Sequence, residues 1–323
     1  MSKVILTFDY ELFLGEDSGI AQKSILEPTS KIIKLLKKYN SKAIFFVDAT
    51  YLMALKKYNH SDLLLITNQL KEIILIGSSV ELHLHPQWLD AKPNKDRWIF
   101  ESFDRYRLHS LSKDKINSLF KDGIDILESI TNKKIKAFRA GGWSITPFHT
   151  LQDAFLENNI KLDMSVCPRF YKDELPMHYY DFLNVPNKEF YRFSDDVNIE
   201  DTDGNFMEIP VTTYYMKGID LVVNNLIKKL YKDTIYGDGK GLSSSTIQEN
   251  ILKRVFKQNL RKATIESQSH WFFKKSLQKI DNKNFISYVM HPKTLTKTSF
   301  RNLEYLLIKY KTLNTNDLIK EFS

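Results

Sequence analysis

Cysteine is almost absent from this chain of 323 residues, in which Cys167 is the only one. A single cysteine rules out an intrachain disulfide and a zinc site built from cysteines, and it is typical of a reducing compartment. Long apolar runs are also lacking, since no stretch approaches the ~20 apolar residues of a transmembrane helix. The apolar run at residues 4–8 is too short for a signal peptide. The sequence therefore predicts a cytoplasmic protein without a membrane span.

Charge of one sign is only moderately in excess. Lysine and arginine number 47 against 39 aspartate and glutamate residues, a formal net charge of +8. The lysines are scattered and belong to no nucleic-acid-binding motif, so they indicate a solvated surface and no nucleic-acid partner. Such a surface also suits an anionic or carrier-linked glycan. A hydrophobic content of 42% with 27% charged residues is typical of a globular protein.

Short apolar runs alternate along the chain with longer segments of helical spacing. The runs are rich in β-branched and aromatic residues and predict strands at residues 4–8, 43–47, 73–76, 80–85, 135–138, 206–211 and 285–290. The longer segments predict helices, among them residues 30–39, 113–130 and 150–159. This alternation predicts an α/β fold with a parallel sheet, closed as a barrel or open, with its chemistry at the carboxyl ends of the strands.

One region interrupts the alternation. Residues 224–279 are lysine-rich and mostly helical in pattern, and residues 236–245 within them form a polar loop. We interpret this region as a helical insertion before the last strand, within a single catalytic domain that spans residues 1–323.

Two pairs of polar residues lie at alternate positions where predicted strands end. Asp9 and Glu11 follow the first strand, and His83 and His85 end a later one. Alternate side chains of a strand share one face, so each pair points to a single cavity. Two neighbouring neutral imidazoles favour a shared metal ion, and the alternative is that both are buried structural histidines. For Asp9 and Glu11 the alternative is a turn of solvated acids.

Two histidines and one carboxylate match the ligand sets of catalytic zinc and of non-haem iron. Such a metal lowers the pKa of its bound water and polarises an acyl oxygen, while a second carboxylate accepts the proton of the water. The pattern therefore predicts acyl hydrolysis without a protein nucleophile.

Two further strand ends carry polar residues. Arg139 is followed by Gly141 and Gly142, so the arginine could pair with a carboxylate while backbone N–H groups approach an oxyanion. His291 ends the last predicted strand and could act as a general acid. The alternatives are an ordinary Gly-Gly turn with a surface arginine, and a structural histidine.

Taken together, these segments resemble the polysaccharide deacetylase family, the NodB-like carbohydrate esterases. The first segment reads Thr-Phe-Asp-Tyr-Glu where the family has Thr-Phe-Asp-Asp, and the second reads Ala-Ile-Phe-Phe-Val where the family has Ala-Thr-Phe-Phe-Val. The resemblance extends over about residues 4–296. The matching segments, in the order of the family's motifs, are residues 7–11, 43–47, 81–88, 139–143 and 288–292.

The resemblance implies a distorted (β/α)7 TIM-like barrel with a divalent metal, usually zinc, at its carboxyl face. It also implies roles for individual residues. Asp9 corresponds to the catalytic base, Arg139 holds it ionised, the backbone at Gly142 contributes to the oxyanion hole, and His291 is the general acid.

The sequence departs from the family's pattern in its metal ligands. Tyr10 replaces the aspartate that binds the metal, so the ligand role passes to Glu11. The second histidine of the family motif would fall on Gln87. We therefore expect His83 and His85 as the remaining ligands, with Gln87 as the alternative.

Aromatic residues near these motifs could stack on a sugar. Trp88, Trp143 and Tyr171 are candidates, and their alternative role is in the core or at the rim. Glu208 lies on a predicted strand and could touch the substrate or Arg139.

The motifs predict an enzyme that removes an N-acetyl group from a carbohydrate, in the assembly of a cell-surface glycan such as O-antigen. One alternative is a catalytically silent carbohydrate-binding barrel, which the altered metal motif favours. Another is a hydrolase for a different bond, such as an amide of a substrate that is not a sugar. A glycosidase would use the paired carboxylates but would leave the three histidines without a role.

Overall fold

A curled, mostly parallel sheet forms the centre of the computed structural model, which describes residues 2–102, 104–242, 255 and 257–322. In chain order, the strands among these residues are β1 (Lys3–Tyr10), β2 (Ile44–Asp48), β3 (Ser79–Leu84), β4 (Lys92–Asn94), β5 (Arg97–Ile99), β6 (Ala137–Ala140), β7 (Leu162–Asp163), β8 (Tyr171–Glu174), β9 (His178–Asp181), β10 (Tyr191–Phe193), β11 (Phe206–Glu208), β12 (Thr213–Lys217), β13 (Gln258–Lys262), β14 (Phe285–Met290) and β15 (Lys311–Thr312).

The helices among the described residues lie between and after these strands. They are α1 (Glu27–Lys38), α2 (Ala49–Lys57), α3 (Asp62–Leu75), α4 (Lys113–Thr131), α5 (Gln152–Glu157), α6 (Gly218–Tyr231), α7 (His270–Ile280), α8 (Lys297–Lys309) and α9 (Thr315–Phe322). In the part of the chain that the structure describes, no helix is both long and apolar enough to cross a membrane.

The strand order of the large sheet is β10-β11-β7-β6-β3-β2-β1-β14, and β15 also pairs with β1. Every pairing from β11 to β14 is parallel, and only β10 runs antiparallel to its neighbour. Because the order has two free edges within the described residues, the sheet is a half-barrel. This confirms the predicted α/β class and the distorted barrel.

Side-chain alternation divides the sheet into two faces. The outer face, with Val4, Leu6 and Phe8 on β1, packs in the large core that also contains the inward sides of the helices. Apart from the buried Glu81, the inner face is apolar at the amino ends of the strands, where Ile5 and Ile44 pack in a smaller core. Toward the carboxyl ends the inner face becomes polar, and this change places the candidate site.

Three predictions of secondary structure need correction. Residues 73–76, predicted as a strand, belong to α3, because Ile66, Leu70 and Ile73 form the buried stripe of a helix and Leu75 is exposed. The helix predicted at residues 150–159 is confined to α5.

The helical insertion predicted at residues 224–279 is helical only in part. Its described portion contains β13, which forms an antiparallel pair with β12 over five residues of each strand. Residues 243–254 and 256 of this region, including the end of the predicted polar loop, lie outside the described residues.

Candidate active site

The polar residues predicted from the strand ends meet at the carboxyl edge of the sheet. They line one cavity of about 460 Å³. Asp9 and Glu11 come from β1 and its extension, His83 and His85 from β3 and its extension, Arg139 from β6, and His291 from the residue after β14. Parallel strands bring their carboxyl ends to one edge, so residues far apart in the sequence become neighbours here.

The first cluster consists of Glu11, His83 and His85, all buried. Glu11 Oε2 lies 2.6 Å from His85 Nε2 and 3.2 Å from His83 Nε2. The two Nε2 atoms are 3.0 Å apart. One oxygen and two nitrogens therefore converge on a single point, and this donor set could hold a divalent metal ion.

The orientation of the His83 ring also fits a metal. His83 Nδ1 lies 2.7 Å from the carbonyl oxygen of Arg139, which can only accept a hydrogen bond. In the neutral ring the hydrogen therefore resides on Nδ1, which leaves the lone pair of Nε2 for a metal at the point that it shares with Glu11 Oε2. A backbone carbonyl that fixes the tautomer in this way is a common partner of metal-binding histidines.

The electrostatics of this cluster follow from burial and close partners. Burial alone would raise the pKa of Glu11, but Lys293 and His85 outweigh it and hold that pKa well below its usual range. Burial would lower the pKa of His83, yet the hydrogen bond with Glu11 raises it to about 9. The carboxylate of Glu11 is therefore charged, and protons compete with a metal for His83.

The second cluster pairs Asp9 with Arg139. Arg139 Nη1 donates to Asp9 Oδ1 at 2.6 Å and to Thr7 Oγ1 at 2.8 Å, while its Nε donates to the Met164 carbonyl at 2.9 Å. Burial would raise the pKa of Asp9, but Arg139, followed by His291, brings that pKa below its ordinary value. Asp9 is thus an ionised carboxylate beside the possible metal ligands, and its Oδ2 is not bonded to the arginine.

His291 approaches the same carboxylate from β14. Its Nε2 lies 3.5 Å from Asp9 Oδ2, and its Nδ1 lies 2.9 Å from Glu266 Oε1. Glu266 also accepts hydrogen bonds from the His291 backbone N–H and from Thr294 Oγ1. Burial would raise the pKa of Glu266, but His291 counteracts this and the pKa falls to about 2. Glu266 therefore orients the imidazole of His291.

The glycines after Arg139 allow the chain to pass close to the cavity. A Cβ at Gly141 would lie 2.4 Å from the Leu84 carbonyl and 2.7 Å from His85 Nδ1. Gly142 has a φ of +60°, and a Cβ there would lie 2.3 Å from the ring of Tyr106. Only glycine fits at both positions, and Gly142 lines the cavity.

Of the three aromatic residues predicted to stack on a sugar, only Trp143 lines the cavity. Trp88 is 2% exposed, because its Nε1 donates to Asp48 Oδ2 at 2.7 Å and its ring packs on Tyr51. Tyr171 is 51% exposed on β8 and is not among the described residues that line the cavity. Trp88 therefore presents no open face to a sugar, whereas the stacking role of the exposed Tyr171 stays a prediction.

The two additional candidates also lie away from the cavity lining that the structure describes. Gln87 is 2% exposed, and neither polar atom of its amide has a hydrogen-bond partner among the described residues. Glu208 is fully buried on β11 in register with Asp163, and its Oε1 accepts from the Val166 N–H at 3.2 Å. His85 joins Glu11 and His83 in the cluster of possible metal ligands, while the alternative ligand Gln87 stays a prediction.

The cavity also contains residues that the sequence did not indicate. Glu266 and Lys293 contact the predicted site directly, while Tyr106, His178 and Tyr180 contribute aromatic walls. None belongs to a motif or follows a periodic pattern. The two charged residues are recognisable only once the fold brings them beside His291 and Glu11.

A parallel half-barrel with carboxylates and histidines at its carboxyl edge belongs to the class of α/β proteins whose sites lie at the carboxyl ends of the strands. Within that class, residues 2–152 match the family model described as polysaccharide deacetylase, which confirms the predicted resemblance. The match supports carbohydrate deacetylation at the level of the family. It includes Asp9, Glu11, His83, His85 and Arg139, and it ends before Glu266, His291 and Lys293.

The first of two solved structures compared with this chain supports the fold. A candidate polysaccharide deacetylase from Mycobacterium smegmatis is 13% identical and superposes with a TM-score of 0.53, over 99% of this chain and 90% of that one. A pseudoenzyme of carbohydrate esterase family 4 from Bacillus anthracis is 14% identical with a TM-score of 0.43, over 99% of this chain and 66% of that one. A comparison of the sequence with curated proteins gives no match.

Proposed function

We propose that this protein is a metal-dependent hydrolase that removes an N-acetyl group from a carbohydrate. The observation that carries the proposal is the convergence of Glu11 Oε2, His83 Nε2 and His85 Nε2 beside an ionised Asp9. These nitrogen and oxygen donors suit zinc. The protein would serve in the cytoplasm, in the assembly of a cell-surface glycan such as O-antigen, as the sequence predicts.

Glu11, His83 and His85 would hold the metal. When bound, it supplies Lewis-acid polarisation of the acyl oxygen and a water of lowered pKa. Asp9 then accepts a proton from the attacking water through Oδ2, since Arg139 occupies Oδ1. The water oxygen forms a bond with the acyl carbon, and negative charge develops on the acyl oxygen, where the backbone at Gly142 offers an N–H.

Collapse of this state breaks the bond between the acyl carbon and the nitrogen. His291 delivers a proton from Nε2 to the departing nitrogen, while Glu266 holds Nδ1 and offsets the positive charge of the ring. The products are acetate and the free amino sugar, so water supplies every atom that the substrate gains. Trp143 provides a flat surface at the cavity wall for the sugar ring.

The proposal is tested by measuring acetate released from a panel of N-acetylated mono- and oligosaccharides by the full-length protein loaded with zinc. We expect acetate and an equimolar amount of free amine with at least one member of the panel. A protein that binds the metal yet releases no acetate from any N-acetyl sugar would contradict the proposal and favour a carbohydrate-binding barrel without activity.

A further inference from the structure

Lys293 lies beside the candidate metal site and makes contacts that the proposed mechanism does not use. It belongs to the turn Pro292–Thr294 after β14 and is only 8% exposed. Its Nζ donates to Glu11 Oε1 at 2.9 Å and to the Leu12 carbonyl at 2.6 Å. The ring of Phe13 lies 5.1 Å from the same ammonium. Lys293 is thus a fixed charge inside the site.

The two oxygens of Glu11 have different partners. Oε1 accepts from Lys293, whereas Oε2 faces His83 Nε2 and His85 Nε2. A carboxylate can bind a metal through one oxygen or through both. With Oε1 held by the ammonium, only Oε2 is presented to the point where the imidazoles converge.

The anchoring of Lys293 makes this division rigid. The Leu12 carbonyl belongs to the residue next to Glu11, so a single ammonium fixes both the carboxylate and the backbone that carries it. The ammonium also offsets negative charge where Asp9 and Glu11, both buried, would otherwise repel each other.

We propose that Lys293 is a positioning residue for the metal, which holds Glu11 by Oε1 so that the carboxylate binds through Oε2 alone. The inference rests on the proposed function, because it assumes a metal at Glu11, His83 and His85. One-oxygen binding leaves coordination positions open for water and the acyl oxygen. In the opposite role, the ammonium of Lys293 would compete with the metal for Glu11. Removal of Lys293 would then strengthen metal binding.

The test is a Co²⁺ titration of the full-length protein, followed by the visible absorption of the bound ion. Lys293→Met should weaken Co²⁺ binding about 10- to 100-fold, the usual effect of losing a partner of a metal ligand. Its absorption spectrum should also change, since Glu11 becomes free to bind through both oxygens. Lys293→Arg keeps a cationic donor and should restore most of the affinity and the original spectrum.

Two controls separate positioning from a general loss of charge or structure. Lys172→Met removes another lysine that lines the cavity but forms its ion pair with Glu174, so Co²⁺ affinity should stay at the wild-type value. In a Glu11→Gln background, Lys293→Met should cause no further loss of affinity. If Lys293→Met does not fold, Lys293→Gln takes its place.

The outcomes distinguish this inference from the proposed function. Affinity and spectrum unchanged by Lys293→Met, or affinity increased, would overturn the positioning role while leaving the metal site intact. A wild-type protein that binds no Co²⁺ would overturn both the metal site and the role of Lys293. Weaker binding with a changed spectrum, restored by arginine, is the result that we expect.

Discussion

Both ends of the parallel sheet bury carboxylates on the inner face, but the two ends treat them differently. Glu81 lies on β3, two residues before His83, and its Oε2 accepts the backbone N–H groups of Lys136 and Ala137, each at 2.9 Å. Burial raises the pKa of Glu81 to about 7, and the backbone donors offset only part of this effect. Asp9 and Glu11, at the other end, have lowered pKa values.

The difference lies in the partners and not in the degree of burial. Asp9 and Glu11 each form an ion pair, with Arg139 and Lys293 respectively, whereas the hydrogen bonds of Glu81 come mainly from backbone N–H groups. A whole cation compensates the desolvation of a carboxylate better than neutral donors do. The carboxyl end of the sheet therefore keeps the carboxylates of Asp9 and Glu11 charged at the cavity. Acid–base and metal chemistry both require such charged groups.

Asp9→Asn tests the role of the charged carboxylates most directly, because it keeps the shape of the side chain but removes the base. We expect kcat for acetate release to fall about 10³-fold, within the range that a general base contributes. Metal content should stay at the wild-type value because Asp9 is not one of the ligands. Activity within tenfold of the wild type would show that another group accepts the proton.

Removal of the cation from the same pair should affect stability strongly. Arg139→Met leaves Asp9 buried without its counter-charge, and loss of one partner of a buried pair costs about 3 to 5 kcal/mol. Arg97→Met is a matched control, since Arg97 pairs with Asp17 and Asp238 at the surface and should cost about 1 kcal/mol or less. Urea unfolding of both variants measures the difference, and equal losses would contradict the account.

Glu266→Gln tests the role of the negative charge beside His291, because it replaces that charge with a neutral group of the same size. The variant keeps a side-chain oxygen near His291 but no longer places a negative charge beside its Nδ1. We expect kcat to fall about 10²-fold, as for a weakened general acid, with little change in KM. A steady-state rate profile measures both constants, and a change confined to KM would instead place Glu266 in substrate binding.

The smallest expected effect concerns the opposite end of the sheet, where Glu81→Gln should leave metal binding unchanged. Because Glu81 holds its proton more tightly in the folded chain, its stabilising contribution is complete below its ordinary pKa and is lost as the pH rises through about 7. Between pH 5 and pH 8, the wild type should lose about 2 kcal/mol more of its free energy of unfolding than the variant. Parallel pH profiles in urea unfolding would contradict this.

The sequence predicts most of the site because two periodic rules apply to it. Alternation along a strand places Asp9 with Glu11 and His83 with His85, and a parallel sheet brings these strand ends together with Arg139. The parallel α/β sheet follows from the alternation of apolar runs and helical segments. Residues 73–76 were predicted as a strand because a short apolar run does not distinguish a strand from a buried helix segment.

The rest of the site depends on contacts that no local pattern encodes. Lys293 meets Glu11 across 282 residues of chain, and Glu266 meets His291 from an irregular segment after β13. The burial of Trp88 depends on Asp48, which accepts its indole N–H. These contacts exist only after the sheet has formed, so the sequence shows the residue types without their partners.

The most direct test of the account is a crystal structure of the protein grown with Zn²⁺, with anomalous data collected at the zinc edge and elemental analysis of the same preparation. We expect one zinc per chain, coordinated by Glu11 Oε2, His83 Nε2 and His85 Nε2, with Glu11 Oε1 still bound to Lys293. A zinc-free cluster at saturating Zn²⁺, or zinc bound only elsewhere on the chain, would contradict it.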